Sequence, residues 1–269
     1  MTRHSTMYKK IGLIVPTLGT RPSFLNQTLE SIRMAGDCRI TVVSPDREIL
    51  FSQIDANLCD QWIQDPMQGL VEAINTGVQA LPKQIEYFNW LGDDDTLAPN
   101  SLSMSSSPLE DDPEIVCVFG MCQYMNQDGQ PIYKNRSGRF AVSLLNFGPQ
   151  LIPQPGALFR RTSFNKVGGL DPNYKCAFDL DLLLKLKRIG KIHYIPHQLS
   201  SFRWHSDSLS VGSRSVSVRE ARTIRQKNLP RIVRLFSPAW EFPLAKLIYF
   251  AGTVLTKVDK MISKFKLKE

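Results

Sequence analysis

Tyr87-Phe88-Asn89-Trp90-Leu91-Gly92-Asp93-Asp94-Asp95-Thr96-Leu97-Ala98-Pro99 is the stretch whose reading decides the fold. Tyr87 to Leu91 is aromatic and apolar, as a short buried strand should be, and it runs straight into three consecutive carboxylates. A helix start follows, with Pro99 near the first turn and then Asn100-Ser101-Leu102. Adjacent aspartates repel one another by about 1 kcal/mol or more per close pair, even at the dielectric of a protein surface. A fold accepts that when a cation lies among them. Carboxylate oxygens at the carboxyl end of a strand suit Mg²⁺ or Mn²⁺ holding a diphosphate. That edge is also where open α/β sheets bind ligands. A bare Asp-Asp-Asp is more often a solvated turn capping the next helix; the strand before it and the motifs around it favour the ligand site.

Working outward, Ile11-Gly12-Leu13-Ile14-Val15 is an apolar run ended by Pro16-Thr17, suited to the middle of a parallel sheet. Leu18 to Pro22 is a turn. Phe24 to Ala35 follows as a helix, with Leu25, Leu29 and Ile32 on one side and Gly36 as its stop. Arg39 to Val43 is a second strand, completing a βαβ unit. Gln68-Gly69-Leu70 opens a helix whose Leu70, Ile74, Val78 and Leu81 recur at helical spacing up to Pro82. The first hundred residues thus read as a nucleotide-binding half with four strands. GxGxxG and GxxxxGK[ST] are absent, which counts against dinucleotide and P-loop enzymes.

Beyond the aspartates, Ser101 to Pro113 reads as Ser-, Asp- and Pro-rich linking sequence. Ile115 to Phe119 and Met121 to Met125 read as two strands, and Asn126-Gln127-Asp128-Gly129 as a hairpin turn. Ala157-Leu158-Phe159 is another strand. Phe178 to Ile189 is a strongly apolar helix closed by Gly190. Lys191 to Pro196 and Leu199 to Trp204 read as two further strands.

The 269 residues are 42% hydrophobic and 22% charged, values of an ordinary globular chain. Five scattered cysteines, odd in number and without a CxxC pair, argue against a disulfide framework or zinc site and for a reducing cytoplasm. Met1 to Lys10 is polar and basic without an apolar core, and no run of 18 apolar residues suits a spanning helix. The whole net charge of +8 falls after position 218, where 12 Lys and Arg meet 4 Asp and Glu. A neutral body with a basic tail fits a cytoplasmic enzyme at an anionic membrane face. It does not fit nucleic-acid binding, which needs basic residues across the reading face.

Together these pieces resemble the family 2 glycosyltransferases of the GT-A fold, from about Lys10 to Ser210. The resemblance is carried by Ile14-Val15-Pro16-Thr17 with Arg21; by Gln68-Gly69-Leu70 through Ala73-Ile74-Asn75-Thr76-Gly77; and by Trp90 to Asp95. It continues through Gln154 to Arg161, Val167 to Asp171, Phe178-Asp179-Leu180-Asp181-Leu182 and Phe202-Arg203-Trp204-His205. Each motif is weak alone, but the seven in family order form a specific pattern. It implies an α/β fold with a single Rossmann-like mixed sheet flanked by helices. The nucleotide-binding half would span about 10–100 and the acceptor half about 101–215, with a basic helical extension over 216–269.

By resemblance, the activity is transfer of a sugar from a nucleotide-diphosphate donor, UDP first, to an acceptor hydroxyl on a glycan or lipid-linked acceptor. The reaction would be inverting, would use Mn²⁺ or Mg²⁺, and would serve surface polysaccharide or glycolipid synthesis. Asp179 matches the general base, with a helix cap as its alternative; apolar Phe178 beside it would raise its pKa. Asp94, Asp95 and His205 fall at metal positions, with Gly92 where the family's first Asp stands. Pro16, Thr17, Arg21, Asp46, Asp65, Gly69, Asn75 and Asp93 fall on the donor nucleotide side. Gln154, Pro155 and Gly156 fall under the acceptor, where small residues permit close backbone approach.

The tail places Leu247, Ala251, Val254, Val258, Met261 and Phe265 on one side and Lys257, Lys260, Lys264 and Lys268 on the other. This basic amphipathic helix suits peripheral binding at an anionic inner membrane face, or packing on the body or a partner subunit. Two rival functions stand beside sugar transfer: a nucleotidyltransferase, which also uses a βαβ half and paired aspartates but for which Leu18-Gly19-Thr20-Arg21 is a poor triphosphate loop, and a non-catalytic module of a glycan-assembly complex that keeps the fold.

Overall fold

A computed structural model of the chain describes residues 10–205, 213–230 and 232–234, with Pro243 and Lys246. The amphipathic tail from Leu247 onward lies outside the described residues. Among the described residues, no helix is long and apolar enough to cross a membrane.

The chain runs β1 (Ile11–Pro16), α1 (Pro22–Ala35), β2 (Arg39–Ser44), α2 (Arg47–Gln53), β3 (Gln61–Gln64), α3 (Leu70–Ala80), β4 (Tyr87–Trp90), β5 (Thr96–Leu97) and α4 (Ser101–Asp111). It continues with β6 (Ile115–Met125), β7 (Pro131–Asn135), α5 (Phe140–Leu144), β8 (Leu158–Arg160), α6 (Arg161–Lys166), α7 (Phe178–Lys187), β9 (Lys191–Arg203) and α8 (Arg214–Asn228). The strands form one mixed sheet ordered β3-β2-β1-β4-β8-β6-β9-β5, with β7 paired to β6. β3, β2, β1 and β4 are parallel, whereas β8 runs antiparallel to both β4 and β6.

Apolar residues on both sides of the central strands explain the two-layered core. Leu13 and Val15 of β1 and Tyr87 of β4 join Leu25, Leu29 and Ile32 of α1 and Leu102 and Leu109 of α4 on one face. Ile14, Phe88 and Trp90 point to the other, against Ile74 and Val78 of α3 and the leucines of α7. Each such buried side chain contributes roughly 1.5–3 kcal/mol. Gly77 lets α3 press onto β1: a Cβ there would stand 2.6 Å from Ile14 Cγ2. With helices on both faces, the ligand-binding edge is the row of strand carboxyl ends.

Three readings are corrected. Ser101 to Pro113 is no linker, since α4 occupies most of it in spite of Pro108. The paired strands expected at 115–119 and 121–125 are one strand, β6, and those at 191–196 and 199–204 are one strand, β9. Register shifts between Phe119 and Met121, where Gly120 approaches β9, absorb the irregularity that read as a break. α8 spans the position expected as a boundary, 215/216, and packs on α7.

Candidate functional site

Leu91 N donates to Ile14 O at 2.9 Å, so the chain stays beside β1 as far as Leu91 before turning. The turn is closed by Asp95 N donating to Gly92 O at 3.2 Å. A Cβ on Gly92 would lie 2.9 Å from Asp94 Oδ1 and 3.2 Å from Asp95 Oδ2. Glycine therefore leaves the space into which both carboxylates fold, and an aspartate at this position would not fit beside them.

Asp93, Asp94 and Asp95 are all buried. Thr17 Oγ1, just past β1, donates to Asp93 Oδ2 at 2.6 Å. Arg21, at the start of α1, spans two of the carboxylates: Nη2 meets Asp93 Oδ1 at 2.5 Å and Nη1 meets Asp94 Oδ2 at 2.7 Å. His205 Nε2 lies 2.7 Å from the same Asp94 oxygen and 3.0 Å from Arg21 Nη1. Burial pushes the Asp93 carboxyl above its ordinary range, partly offset by Thr17 and Arg21. Burial and its Asp94 neighbour push Asp95 further up. Asp95 Oδ1 accepts the Arg203 amide at 2.9 Å, tying this turn to the end of β9.

Asp94 Oδ2 and His205 Nε2 both face the point held by Arg21 Nη1, itself a cation. Among the described residues no three His, Cys, Asp or Glu side chains gather into a complete cage. Two protein ligands with an open remainder fit Mg²⁺ or Mn²⁺, which take one or two protein ligands and complete their shell with phosphate oxygens and water. Asp94 and His205 are the residues that would hold such an ion. Asp95, expected beside them, turns one oxygen, Oδ1, to the Arg203 amide.

These groups open into a cleft of about 980 Å³ whose lining includes Pro16, Thr17, Arg21, Asp65, Gly69, the three aspartates, Gln154, Pro155 and Asp179. Asp179 lies in the first turn of α7, whose N-cap is Ala177, so it is not the cap. Its Oδ2 accepts Gln150 Nε2 at 2.7 Å and its Oδ1 accepts Leu180 N at 2.8 Å. Burial nevertheless raises its pKa to about 6. Asn89 on β4 straps down the loop that carries Gln154 and Pro155: its Nδ2 donates to Pro155 O at 2.7 Å, and its Oδ1 accepts Gln154 Nε2 at 2.9 Å.

Three expected contacts are not made in the cleft. Asp46 is the N-cap of α2, accepting Ile49 N at 3.0 Å, because an Asp before a helix finds a backbone donor at hand. Asn75 spends its amide on Leu170, donating to its carbonyl at 3.0 Å and accepting its N–H at 3.1 Å. Gly156 packs on β9, where a Cβ would meet Ser200 Oγ at 2.8 Å. Conversely, sequence reasoning missed Gln150, Met67 and Tyr124 as cleft residues, and it placed Phe202 and Trp204 in a motif without seeing that they form an aromatic wall with Tyr124. Tyr124 and Phe202 have ring centroids 5.2 Å apart, and Trp204 stands edge-on to Phe202 at 6.4 Å while half exposed. Met67 signals its role only through its backbone, with φ 59° and its N–H bound to Asp65 Oδ1 at 2.7 Å.

No family model matches the chain. A protein of Rickettsia conorii described as an uncharacterized glycosyltransferase is 26% identical over 156 residues, covering 55% of this chain and 25% of that protein. A counterpart in Rickettsia typhi is 26% identical over 144 residues, covering 51% of this chain and 45% of that one. The matched region is thus less than half the length of these relatives. Among solved structures, S. aureus TarS 1-349 in complex with UDP superposes with a TM-score of 0.58 at 12% identity, covering 84% of this chain and 68% of that one. Mannosyltransferase PcManGT of Pyrobaculum calidifontis, in complex with GDP-Man and Mn²⁺, gives 0.55 at 14%, covering 87% and 65%. GalNAc-T7 with UDP, GalNAc and Mn²⁺ gives 0.55 at 14%, covering 78% and 47%. The fold is of the GT-A type.

Proposed function

We propose that the chain is an inverting glycosyltransferase of the family 2 kind. It would move a sugar from a nucleotide diphosphate, UDP first, to an acceptor hydroxyl on a glycan or lipid-linked glycan. The observation that carries this reading is the cleft itself. A carboxylate edge suited to a cation and a separate, half-buried carboxylate whose pKa is raised to about 6 open into one cavity. Two titratable sites in such different surroundings are what separate leaving-group and base chemistry require. The Rickettsia relatives described as glycosyltransferases and the nucleotide- or nucleotide-sugar-bound structural neighbours point the same way.

The donor enters along Pro16, Thr17, Asp65 and Gly69, with its diphosphate toward Arg21, Asp94 and His205. A divalent ion, when bound, neutralises the leaving diphosphate. The acceptor lies over Gln154 and Pro155, against Tyr124, Phe202 and Trp204, whose faces suit the apolar side of a sugar ring. Asp179 takes the acceptor proton as that oxygen attacks the anomeric carbon. The bond from that carbon to the phosphate oxygen breaks, and its electron pair leaves with the diphosphate. Asp179 is suited to this because burial keeps its pKa near the working range of a base.

Calorimetric titration of UDP, GDP, CDP and dTDP, each with and without Mn²⁺, tests the donor site. One nucleotide is expected to bind in a metal-dependent way and to lose that dependence in Asp94→Ala. Failure of every nucleotide to bind removes the reading.

A further inference from the structure

The cluster contains two arginines of opposite character. Arg203 is buried and fixed: Nε donates to Asp94 O at 3.0 Å, Nη1 to Gln127 O at 2.8 Å and Nη2 to Gln27 Oε1 at 3.0 Å, while its guanidinium covers the Phe24 ring at 4.4 Å. Arg21 has no such anchorage. Among the described residues its guanidinium bonds only to Asp93, Asp94 and His205, and its side chain is 31% exposed to the cleft. The acidic partners are held from behind, the Asp93 carboxylate by Thr17 and the Asp94 backbone by Arg203 Nε. The movable partner is therefore the arginine.

Resting on the donor-site reading above, we propose that Arg21 is a displaceable internal cation. In this structure it neutralises Asp93 and Asp94 and stands where Asp94 and His205 would hold a metal. The diphosphate of an incoming nucleotide draws it away. A guanidinium binds phosphate oxygens through the same two-pronged hydrogen bonding it gives to carboxylates, so the exchange replaces one paired set of bonds by another. The vacated carboxylate and imidazole are then available to a divalent ion that also meets the phosphate. Metal and nucleotide thereby bind with positive coupling, to which the release of this side chain adds beyond the ion's own contact with the phosphate. By linkage, each ligand raises the affinity of the other by the same factor.

The test is Mn²⁺ binding to the full chain, followed by the electron paramagnetic resonance signal of free Mn²⁺. It is measured on wild type, Arg21→Gln and Arg21→Lys, first alone and then with saturating UDP or GDP. Without nucleotide, Arg21→Gln is expected to bind Mn²⁺ about tenfold more tightly than wild type, within the usual range of coupling between sites. Arg21→Lys keeps a cation at the carboxylates and stays close to wild type. Nucleotide is expected to tighten Mn²⁺ binding about tenfold in wild type and far less in Arg21→Gln. Equal or weaker Mn²⁺ binding by nucleotide-free Arg21→Gln overturns the proposal, provided its melting curve matches wild type. Nucleotide and metal binding that persist without any dependence on Arg21 overturn the proposal alone. Failure of wild type to bind any nucleotide overturns the donor-site reading with it.

Discussion

Asp179 is where a single residue sets stability against chemistry. Its pKa of about 6 lies above the ordinary 3.8, chiefly because burial disfavours the charge. The folded chain holds this proton more tightly than the unfolded chain, so stability falls as pH rises through that interval. At about 1.4 kcal/mol per unit, the ionised carboxylate costs the fold on the order of 3 kcal/mol at neutral pH. Asp179→Asn is therefore expected to melt higher than wild type at pH 7.5, by about 2–4 °C for each kcal/mol recovered. The same variant should lose transfer activity by about 10²–10⁴-fold. Wild-type kcat/KM should climb with pH through a midpoint near 6. A flat profile between pH 5 and 7, or an active Asn variant, removes Asp179 as the base. Gly92 makes the complementary case. Gly92→Ala puts a methyl 2.9 Å from Asp94 Oδ1, so this carboxylate must move. Nucleotide binding with Mn²⁺ is expected to weaken by about 10–100-fold with little change in melting temperature.

At the scale of elements, legibility followed periodicity. β1, β2, β4, α1, α3 and α7 could be read because their apolar residues repeat at the spacing that buries them. α4 hid because its buried side includes Ser101 and Ser105, and Ser105 Oγ satisfies itself on Ser101 O at 2.8 Å. β6 and β9 were split because Gly120 and Pro196 look like stops. In the sheet Gly120 instead admits His197 O, which would lie 2.6 Å from a Cβ there. β3, β5 and β7 are too short or too polar to show a pattern. The strongest clasp between elements was equally invisible. Arg161 closes the end of α3, donating to Pro82 O at 2.7 Å, Leu81 O at 2.8 Å, Val78 O at 3.3 Å and Ile85 O at 3.4 Å. Arg161→Met keeps much of the side-chain bulk and removes every donor. It is expected to destabilise the chain by about 2–3 kcal/mol, read as a shift in urea midpoint. An unchanged midpoint would show that water replaces the arginine at those carbonyls.

For the whole molecule, the cleft is assembled from both ends of the described chain. The edge of the cleft formed by Pro16, Thr17, Arg21 and the three aspartates was legible because those residues lie in short motifs. Gln150, Tyr124 and the α8 residues were not, since only folding brings them to the cavity. α8 lines the cleft with Ser217, Val218, Ala221 and Arg225, and it is held by Arg225 on Gly148 O, by Lys227 on Tyr174 Oη and by the carboxylate of Glu220. Glu220 accepts the N–H groups of Lys175, Cys176 and Ala177 at 2.8–3.0 Å, in the segment that leads into Asp179. Burial pushes its carboxyl up, but these three donors outweigh it and bring it below the ordinary 4.5. The stabilisation is therefore complete at neutral pH and is lost as pH falls through that lowered value. Glu220→Ala leaves three amides without their acceptor and loosens both α8 and the start of α7. Hydrogen exchange should quicken across 175–177 and 214–228, while nucleotide affinity at the distant aspartate edge holds. Transfer kcat/KM should drop by about tenfold or more, because a base misplaced by an ångström loses rate steeply. Quickened exchange with unchanged transfer would make α8 an outer cover. Quickened exchange together with a drop in transfer would place it in the working wall of the acceptor side.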